Sequence, residues 1–99
     1  MIAIQGHLDI DPADRDAAIA LMVAVHDASE AEEGCLTYRF AEELGHPGRF
    51  WLIEAWESEE ALAAHFKTEH MATFRAGLAG VSVTGRDLFR HDVTKRAPL

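Results

Sequence analysis

The side chains best suited to chemistry lie between residues 38 and 70 and include Tyr38, Trp56, His65 and His70. His65 and His70 could each take up or release a proton, because an imidazole has an unperturbed pKa of about 6.5. Trp56 could stack on a flat aromatic ligand, and Tyr38 could donate its phenolic hydrogen to a ligand oxygen. Each residue also has a structural interpretation, as a satisfied histidine, a core tryptophan or a tyrosine at the rim. Both interpretations stay open from residue types alone.

Glu54 shares one face of its predicted strand with the large apolar residues Phe50, Leu52 and Trp56, where it could be buried. An unpaired carboxylate in a core is costly, so Glu54 needs a partner. Arg39, Arg86 or Arg90 on neighbouring strands could form a structural ion pair with it, and this is the favoured account. His65 is the alternative partner, and Glu54 would then orient a histidine base.

Six histidines raise the question of a metal site. His65 and Glu69 stand four residues apart on one predicted helix face, but two ligands make a poor site. His65 and His70 are five residues apart, roughly 140° around a continuous helix, so we expect their side chains to diverge. Cys35 is the only cysteine, which excludes an intrachain disulfide and a cysteine cluster. We predict no metal site, and we interpret the acidic run at Glu30, Glu32 and Glu33 as a solvated face.

Length and charge exclude several classes of protein. The 99 residues are enough for one domain, predicted as 1–93 with an exposed tail at 94–99. A net charge of −8 argues against binding of nucleic acid or anionic membrane through a general basic field. No apolar run approaches the roughly 18 residues of a membrane helix, and polar Gln5 and His7 interrupt the N-terminal apolar stretch. We expect a cytoplasmic protein.

Hydrophobic periodicity predicts the order strand, helix, strand, strand, helix, strand. Asp11 and Ser58 are the predicted N-caps of the two helical regions, Gly34 ends the first, and Thr68 interrupts the second before a short helix that carries His70. In the second strand, alternation places Leu36, Tyr38 and Phe40 on one side. The predicted strands cover residues 2–10, 35–43, 49–57 and 81–92.

The third strand carries large apolar side chains on both faces, with Phe50, Leu52 and Trp56 on one side and Trp51 and Ile53 on the other. Both faces must therefore be covered. Two helices on one face suit an α+β, ferredoxin-like βαββαβ unit. A second copy of the same sheet would cover the helix-free face, which predicts a homodimer.

Three stretches resemble the antibiotic biosynthesis monooxygenase family, whose members include quinol monooxygenases. They are Glu33–Tyr38 (EGCLTY), Phe50–Leu62 (FWLIEAWESEEAL) and the pair His65 and His70. With the strand order, the resemblance covers nearly the whole chain. It implies a dimeric α/β barrel with a pocket in each protomer between the sheet and its helices.

The resemblance also implies an activity, which is oxidation of a hydroquinone, a phenol or a polycyclic aromatic polyketide by O2 without flavin, haem or metal. His65 is expected to handle the proton, with Trp56 and Tyr38 shaping the pocket and hydrogen-bonding the substrate. The expected substrate-binding residues are His70, His26, Met22, Leu52, Glu54, Phe66 and Phe74. Haem-degrading relatives rely on an asparagine, and this chain has none.

The alternative is a non-catalytic dimer of the same fold that binds a small molecule or has a purely structural role. The cavity separates the two hypotheses. A void lined by His65, Trp56 and Tyr38 would favour catalysis, and a site filled by Phe66, Phe74 and Met22 would favour the structural role.

Overall fold

The chain folds into one four-stranded antiparallel sheet with its helices on a single face. A computed structural model describes residues 1–99. The spatial order of the strands is β2-β3-β1-β4, and every neighbouring pair is antiparallel. The predicted ferredoxin-like α+β fold is therefore confirmed. The elements are β1 Ile2–Ile10, α1 Arg15–Glu30, β2 Cys35–Glu42, β3 Arg49–Trp56, α2 Glu59–Phe66, α3 Glu69–Leu78 and β4 Val83–Asp92.

Side-chain caps set where the helices begin. Asp11 accepts a hydrogen bond from the backbone N–H two residues on and opens a 3₁₀ turn, Pro12–Asp14, that leads into α1. Ser58 and Thr68 each accept from the backbone N–H three residues on and start α2 and α3. The predicted interruption at Thr68 is confirmed, and it divides the second helical region into two separate helices.

The first helix ends earlier than its sequence indicates. It stops at Glu30, and residues 31–34 form turns that lead to β2, so the prediction that Gly34 ends the helix is wrong. Gly34 has φ of +83°, and its carbonyl accepts a hydrogen bond of 2.8 Å from the Glu57 N–H. The glycine therefore serves the turn into β2, which carries Glu32 toward the ends of α2 and α3.

The second strand contains a bulge near its start. Cys35 lies opposite Trp56, but Thr37 lies opposite Ala55, so an extra residue falls between them. Leu36 is that residue, and it is 39% exposed. The predicted regular alternation of Leu36, Tyr38 and Phe40 is therefore wrong at Leu36, because the bulge breaks it there.

The two faces of the sheet differ in burial. On the helix side, Phe50 and Trp56 are buried. On the helix-free side, Trp51 is half-buried, while Ile53 is 46% and Phe89 59% exposed. The chain by itself therefore leaves apolar surface open on one face, as the pattern of β3 predicts. None of the three helices has the length and apolar character needed to cross a lipid bilayer.

A glycine in the middle of β1 offers a direct test of the strand pairing. Gly6 has φ of +154°, and a Cβ atom added there would lie 1.9 Å from the Asp87 carbonyl oxygen on β4. We predict that Gly6→Ala lowers the free energy of unfolding by about 2 to 4 kcal/mol, through overpacking and backbone strain. Urea unfolding measures the change.

The matched control for this substitution is Gly80→Ala. A Cβ atom at Gly80 meets only the Gly77 carbonyl oxygen, at 3.4 Å. The control should change stability by no more than about 0.5 kcal/mol. Equal effects of the two substitutions would contradict the β1–β4 register.

Candidate functional site

One carboxylate oxygen joins two histidines that come from different helices. Oε2 of Glu32 lies 2.6 Å from Nδ1 of His65 and 2.8 Å from Nε2 of His70. Glu32 belongs to the turns after α1, His65 to the last turn of α2 and His70 to the first turn of α3. Because an ionised carboxylate can only accept, both imidazole nitrogens donate to it. We call this group the Glu32–His65–His70 cluster.

The cluster corrects the expectation that the two histidines diverge. That expectation assumed a continuous helix, whereas α2 ends at Phe66 and Thr68 caps a new helix. The change of direction brings the ring centroids of His65 and His70 to 6.1 Å. Glu32 was interpreted as part of a solvated face, and no local pattern in the sequence marks it as the shared partner.

The inner edge of His65 faces the core. The side chain is fully buried, and its Nε2 atom has no hydrogen-bond partner. The ring centroid lies 4.6 Å from that of Trp56 and 5.5 Å from that of Tyr38. Burial lowers the pKa of His65, and the hydrogen bond to Glu32 opposes this effect. The structure thus places Trp56 and Tyr38 beside the neutral imidazole of His65, whose Nε2 lone pair points inward. These are the three predicted catalytic residues.

Glu54 is buried next to this imidazole and accepts a hydrogen bond of 2.9 Å from Nε1 of Trp56. Burial raises the pKa of Glu54 to about 7, although the Trp56 hydrogen bond lowers it. Nε2 of His65 lies 3.9 Å from Oε1 of Glu54, which is too long for a hydrogen bond. Near neutral pH, Glu54 is therefore present in both its protonated and its ionised form.

The favoured ion pair between Glu54 and an arginine is wrong. Arg39 lies opposite Ile53 on the edge strand β2, out of register with Glu54, and its side chain pairs with Glu30 of α1. Arg90 shares the face of Glu54, but it pairs with Glu59 at the start of α2. The third candidate, Arg86, forms no ion pair with Glu54. Strand register and a competing carboxylate thus remove the predicted cations.

Tyr38 lies inside the core and not at the rim. The side chain is about 1% exposed, and its ring packs edge-on against Phe40 with centroids 5.8 Å apart. Burial raises the pKa of the Tyr38 hydroxyl, and the charge of Glu54 raises it further. The phenol therefore stays protonated and can donate a hydrogen bond.

An apolar cavity of about 500 Å³ lies between α1 and strands β2 and β3. Two predicted substrate-binding residues, Met22 and His26, lie in its wall. Nδ1 of His26 is 2.9 Å from the Asp27 carboxylate, and its Nε2 is 3.0 Å from the Arg39 guanidinium. The lining residues are Ile19, Met22, Val23, His26, Arg39, Phe40, Ala41, Glu42 and Phe50.

A second cavity, of about 360 Å³, lies between α1 and α3. It contains two other predicted residues, His70 and Phe74, so the cluster borders this cavity through His70. The lining residues are Leu21, Ala24, Val25, Glu69, His70, Thr73 and Phe74.

The predicted site residues thus occupy four places. His65, Trp56, Tyr38, Glu54 and Leu52 are buried, and neither cavity is lined by any of them. Met22 and His26 line the first cavity, while His70 and Phe74 line the second. Phe66 is 47% exposed at the end of α2, with its ring centroid 5.7 Å from that of His65.

Comparison with known sequences identifies a family over most of the chain. The sequence model described as "Antibiotic biosynthesis monooxygenase" matches residues 1–77. The chain belongs to the antibiotic biosynthesis monooxygenase family. The matched range holds β1 to most of α3, and with them the whole Glu32–His65–His70 cluster.

Two curated relatives of the family are each 30% identical to this chain. One is the Bacillus subtilis protein named "Putative monooxygenase YcnE", matched over 77% of this chain and 80% of its own length. The other is the uncharacterized Synechocystis protein sll1783, matched over 74% of this chain. This match spans 50% of the length of the Synechocystis protein.

Solved structures share the whole fold. The Rv0793 structure from Mycobacterium tuberculosis has a TM-score of 0.87 at 26% identity, with 98% of each chain covered. An antibiotic biosynthesis monooxygenase-type structure from Deinococcus radiodurans has a TM-score of 0.90 at 23% identity, covering 100% of this chain and 98% of that one. The fold shared with these structures therefore includes β4, which lies beyond the matched sequence range.

The only cysteine of this chain, Cys35, gives a prediction about the electrostatics of the site. Burial raises the pKa of Cys35 to about 11, and the charges of Glu32 and Glu54 contribute. Because the reference thiol pKa is 9.0, the thiolate fraction at pH 8 should be about a hundred-fold lower than in the unfolded chain. Alkylation by iodoacetamide in native buffer and in urea measures this ratio. A native rate that levels off near pH 9 would contradict it.

Proposed function

We propose that this chain is a cofactor-independent monooxygenase that oxidises a hydroquinone, a phenol or a polycyclic aromatic compound with O2. Family membership and the name of the Bacillus subtilis relative support a monooxygenase. The observation that carries the proposal is the fully buried His65, whose Nε2 lone pair is free and is surrounded by aromatic rings. A shielded base of this kind suits the formation of an electron-rich aromatic anion.

The proposed reaction takes all its electrons from the substrate. Removal of a phenolic proton gives an anion that passes an electron to O2, and recombination forms a hydroperoxide on a ring carbon. Collapse of the hydroperoxide leaves one oxygen atom on the ring and releases the other as water. A hydroquinone and one O2 thus become a hydroxyquinone and one water.

In this proposal the buried residues have separate roles. His65 receives the phenolic proton at Nε2, while Glu32 holds the ring in place through Nδ1. Trp56 stacks on the aromatic substrate, and Tyr38 donates a hydrogen bond to its oxygen. Glu54 keeps the indole N–H of Trp56 in position.

We propose that the substrate enters through the cavity between α1 and β2. The cavity has Phe40 in its wall, Phe40 packs on Tyr38, and Tyr38 packs on His65. Rotation of these two aromatic side chains would open a route from the cavity to Nε2 of His65. The remaining substrate-binding residues in the proposal are Met22 and His26 in the cavity, Leu52 and Glu54 in the core, and His70, Phe66 and Phe74 around the cluster.

We propose a homodimer that packs through the helix-free sheet face and works in the cytoplasm. That face exposes Ile53 and Phe89, with Trp51 half-buried beside them. Burial of this apolar surface against a second copy would stabilise the assembly by the hydrophobic effect. The only cysteine is half-buried and free, which suits a reducing compartment.

A second candidate function is binding of a small aromatic molecule without catalysis. One observation favours it, because neither cavity is lined by His65, Trp56 or Tyr38. In that case Met22, His26 and Phe40 would hold the ligand, and the buried imidazole would be structural.

Oxygen uptake with a panel of hydroquinones tests the proposal. We expect wild type to consume O2 without releasing H2O2, which spontaneous oxidation of hydroquinones would release. His65→Asn keeps a donor near the Nδ1 position but removes the base, and it should lower kcat by about 10²- to 10⁴-fold. Circular dichroism establishes that the variant is folded.

The matched control is His46→Gln. His46 is half exposed and lies near only Glu43, so its loss should change kcat less than twofold. Equal rates for wild type and His65→Asn would remove His65 from the mechanism. Saturable binding of the hydroquinone without O2 uptake above the spontaneous rate would favour the second candidate.

A further inference from the structure

We propose that Glu32, His65 and His70 form a binding site for a divalent first-row transition-metal ion. The binding itself does not depend on the proposed oxidation. It rests on the ligand set, on the unpaired nitrogen of His65 and on access through His70.

The three residues offer one ligand atom each, and these atoms lie within 4.8 Å of one another. Two imidazoles and a carboxylate are ligands that Zn²⁺ and similar ions accept, and three protein ligands leave a position open for water. With metal–ligand bonds of about 2.0 to 2.2 Å, tetrahedral ligand atoms stand roughly 3.4 Å apart. The present 2.6 and 2.8 Å separations therefore require the Glu32 oxygen to withdraw by less than about 1 Å, and the two imidazole nitrogens, which lie within 4.8 Å of each other, to approach by up to about 1.4 Å.

The surroundings of Glu32 permit this movement. Glu32 lies in the turns between α1 and β2 and not inside a helix, and its side chain retains some solvent contact. The hydrogens that the two imidazoles now donate to Glu32 would move to the other nitrogen of each ring when the ion binds, because a neutral imidazole keeps one N–H. The ion would thus occupy the position of two shared protons.

An independent observation on the far side of His65 points to the same site. Nε2 is buried without a hydrogen-bond partner, and the Glu54 carboxyl group lies 3.9 Å away. A metal on Nδ1 requires that the remaining ring proton sit on Nε2. That proton would face Glu54, which matches the common arrangement in which a ligating histidine donates its other N–H to a carboxylate. Metal binding would thus place a donor on the orphaned nitrogen, and an approach of about 1 Å would bring it within hydrogen-bond distance of Glu54.

The open side of the site faces the second cavity. His70 is partly exposed and lines this cavity together with Glu69 and Thr73. An ion can therefore reach the cluster without unfolding of the core, and the cavity has room for a water ligand.

One consequence rests on the proposed function. A metal on Nδ1 moves the ring proton to Nε2 and removes the lone pair that the oxidation uses. A loaded site should therefore suppress O2 uptake, and EDTA should restore it. Failure of this effect would bear on the oxidation and not on metal binding.

The binding is tested by isothermal titration calorimetry, in which Zn²⁺ is added to the full chain after EDTA treatment and dialysis. We expect one ion per chain, and Co²⁺ at the same site should give the strong visible absorption of four-coordinate cobalt. Glu32→Gln and His70→Gln should each weaken Zn²⁺ binding by more than about ten-fold, because each removes a ligand. Exposed neighbours supply the matched controls, Glu33→Gln and His46→Gln, which should bind as wild type does.

A second measurement on wild-type protein keeps the test independent of variant folding. Co²⁺ should broaden or shift the NMR signals of the His65 and His70 rings and leave that of His46 unchanged. Absence of saturable Zn²⁺ binding at micromolar protein would overturn the proposal. So would unchanged affinity in both ligand variants, or cobalt effects confined to other histidines.

Discussion

Two hydrogen bonds to the Oε2 atom of Glu32 hold the candidate site together. They tie the turns after α1 to the end of α2 and to the start of α3. Hydrogen bonds to a charged group contribute about 1.5 to 3 kcal/mol each, and more of that is retained where solvent is excluded. His65 is fully buried, so loss of the Glu32 carboxylate would leave the Nδ1–H donor of His65 without a hydrogen-bond partner in the core.

The same bonds set the direction of the His65 ring. Nδ1 points outward to Glu32, so Nε2 must point inward, toward Glu54 and the indole of Trp56. This orientation supplies the inward base of the proposed oxidation. It also leaves a nitrogen without a partner, which is the feature that metal binding at Nδ1 would satisfy. One geometric constraint thus underlies both proposals.

Local sequence signals predicted the elements well but not the contacts between them. Hydrophobic periodicity yielded the order of the elements along the chain, and the predicted interruption at Thr68 yielded the break between α2 and α3. The bulge at Leu36 was missed because it depends on pairing with β3 and not on residue type. Convergence of His65 and His70 on Glu32 was missed for a similar reason. The convergence depends on how the turns after α1, the end of α2 and the start of α3 are arranged in space. Periodicity along one helix carries no information about that arrangement.

A double-mutant cycle between Glu32→Gln and His70→Gln tests the central claim most directly. The free energies of unfolding of wild type, both single variants and the double variant are measured by urea denaturation in EDTA. We predict that the single effects fail to add by about 1 to 3 kcal/mol, because the two residues share a charged hydrogen bond. Additivity within about 0.5 kcal/mol would contradict the claim that the Glu32 carboxylate joins the two helices.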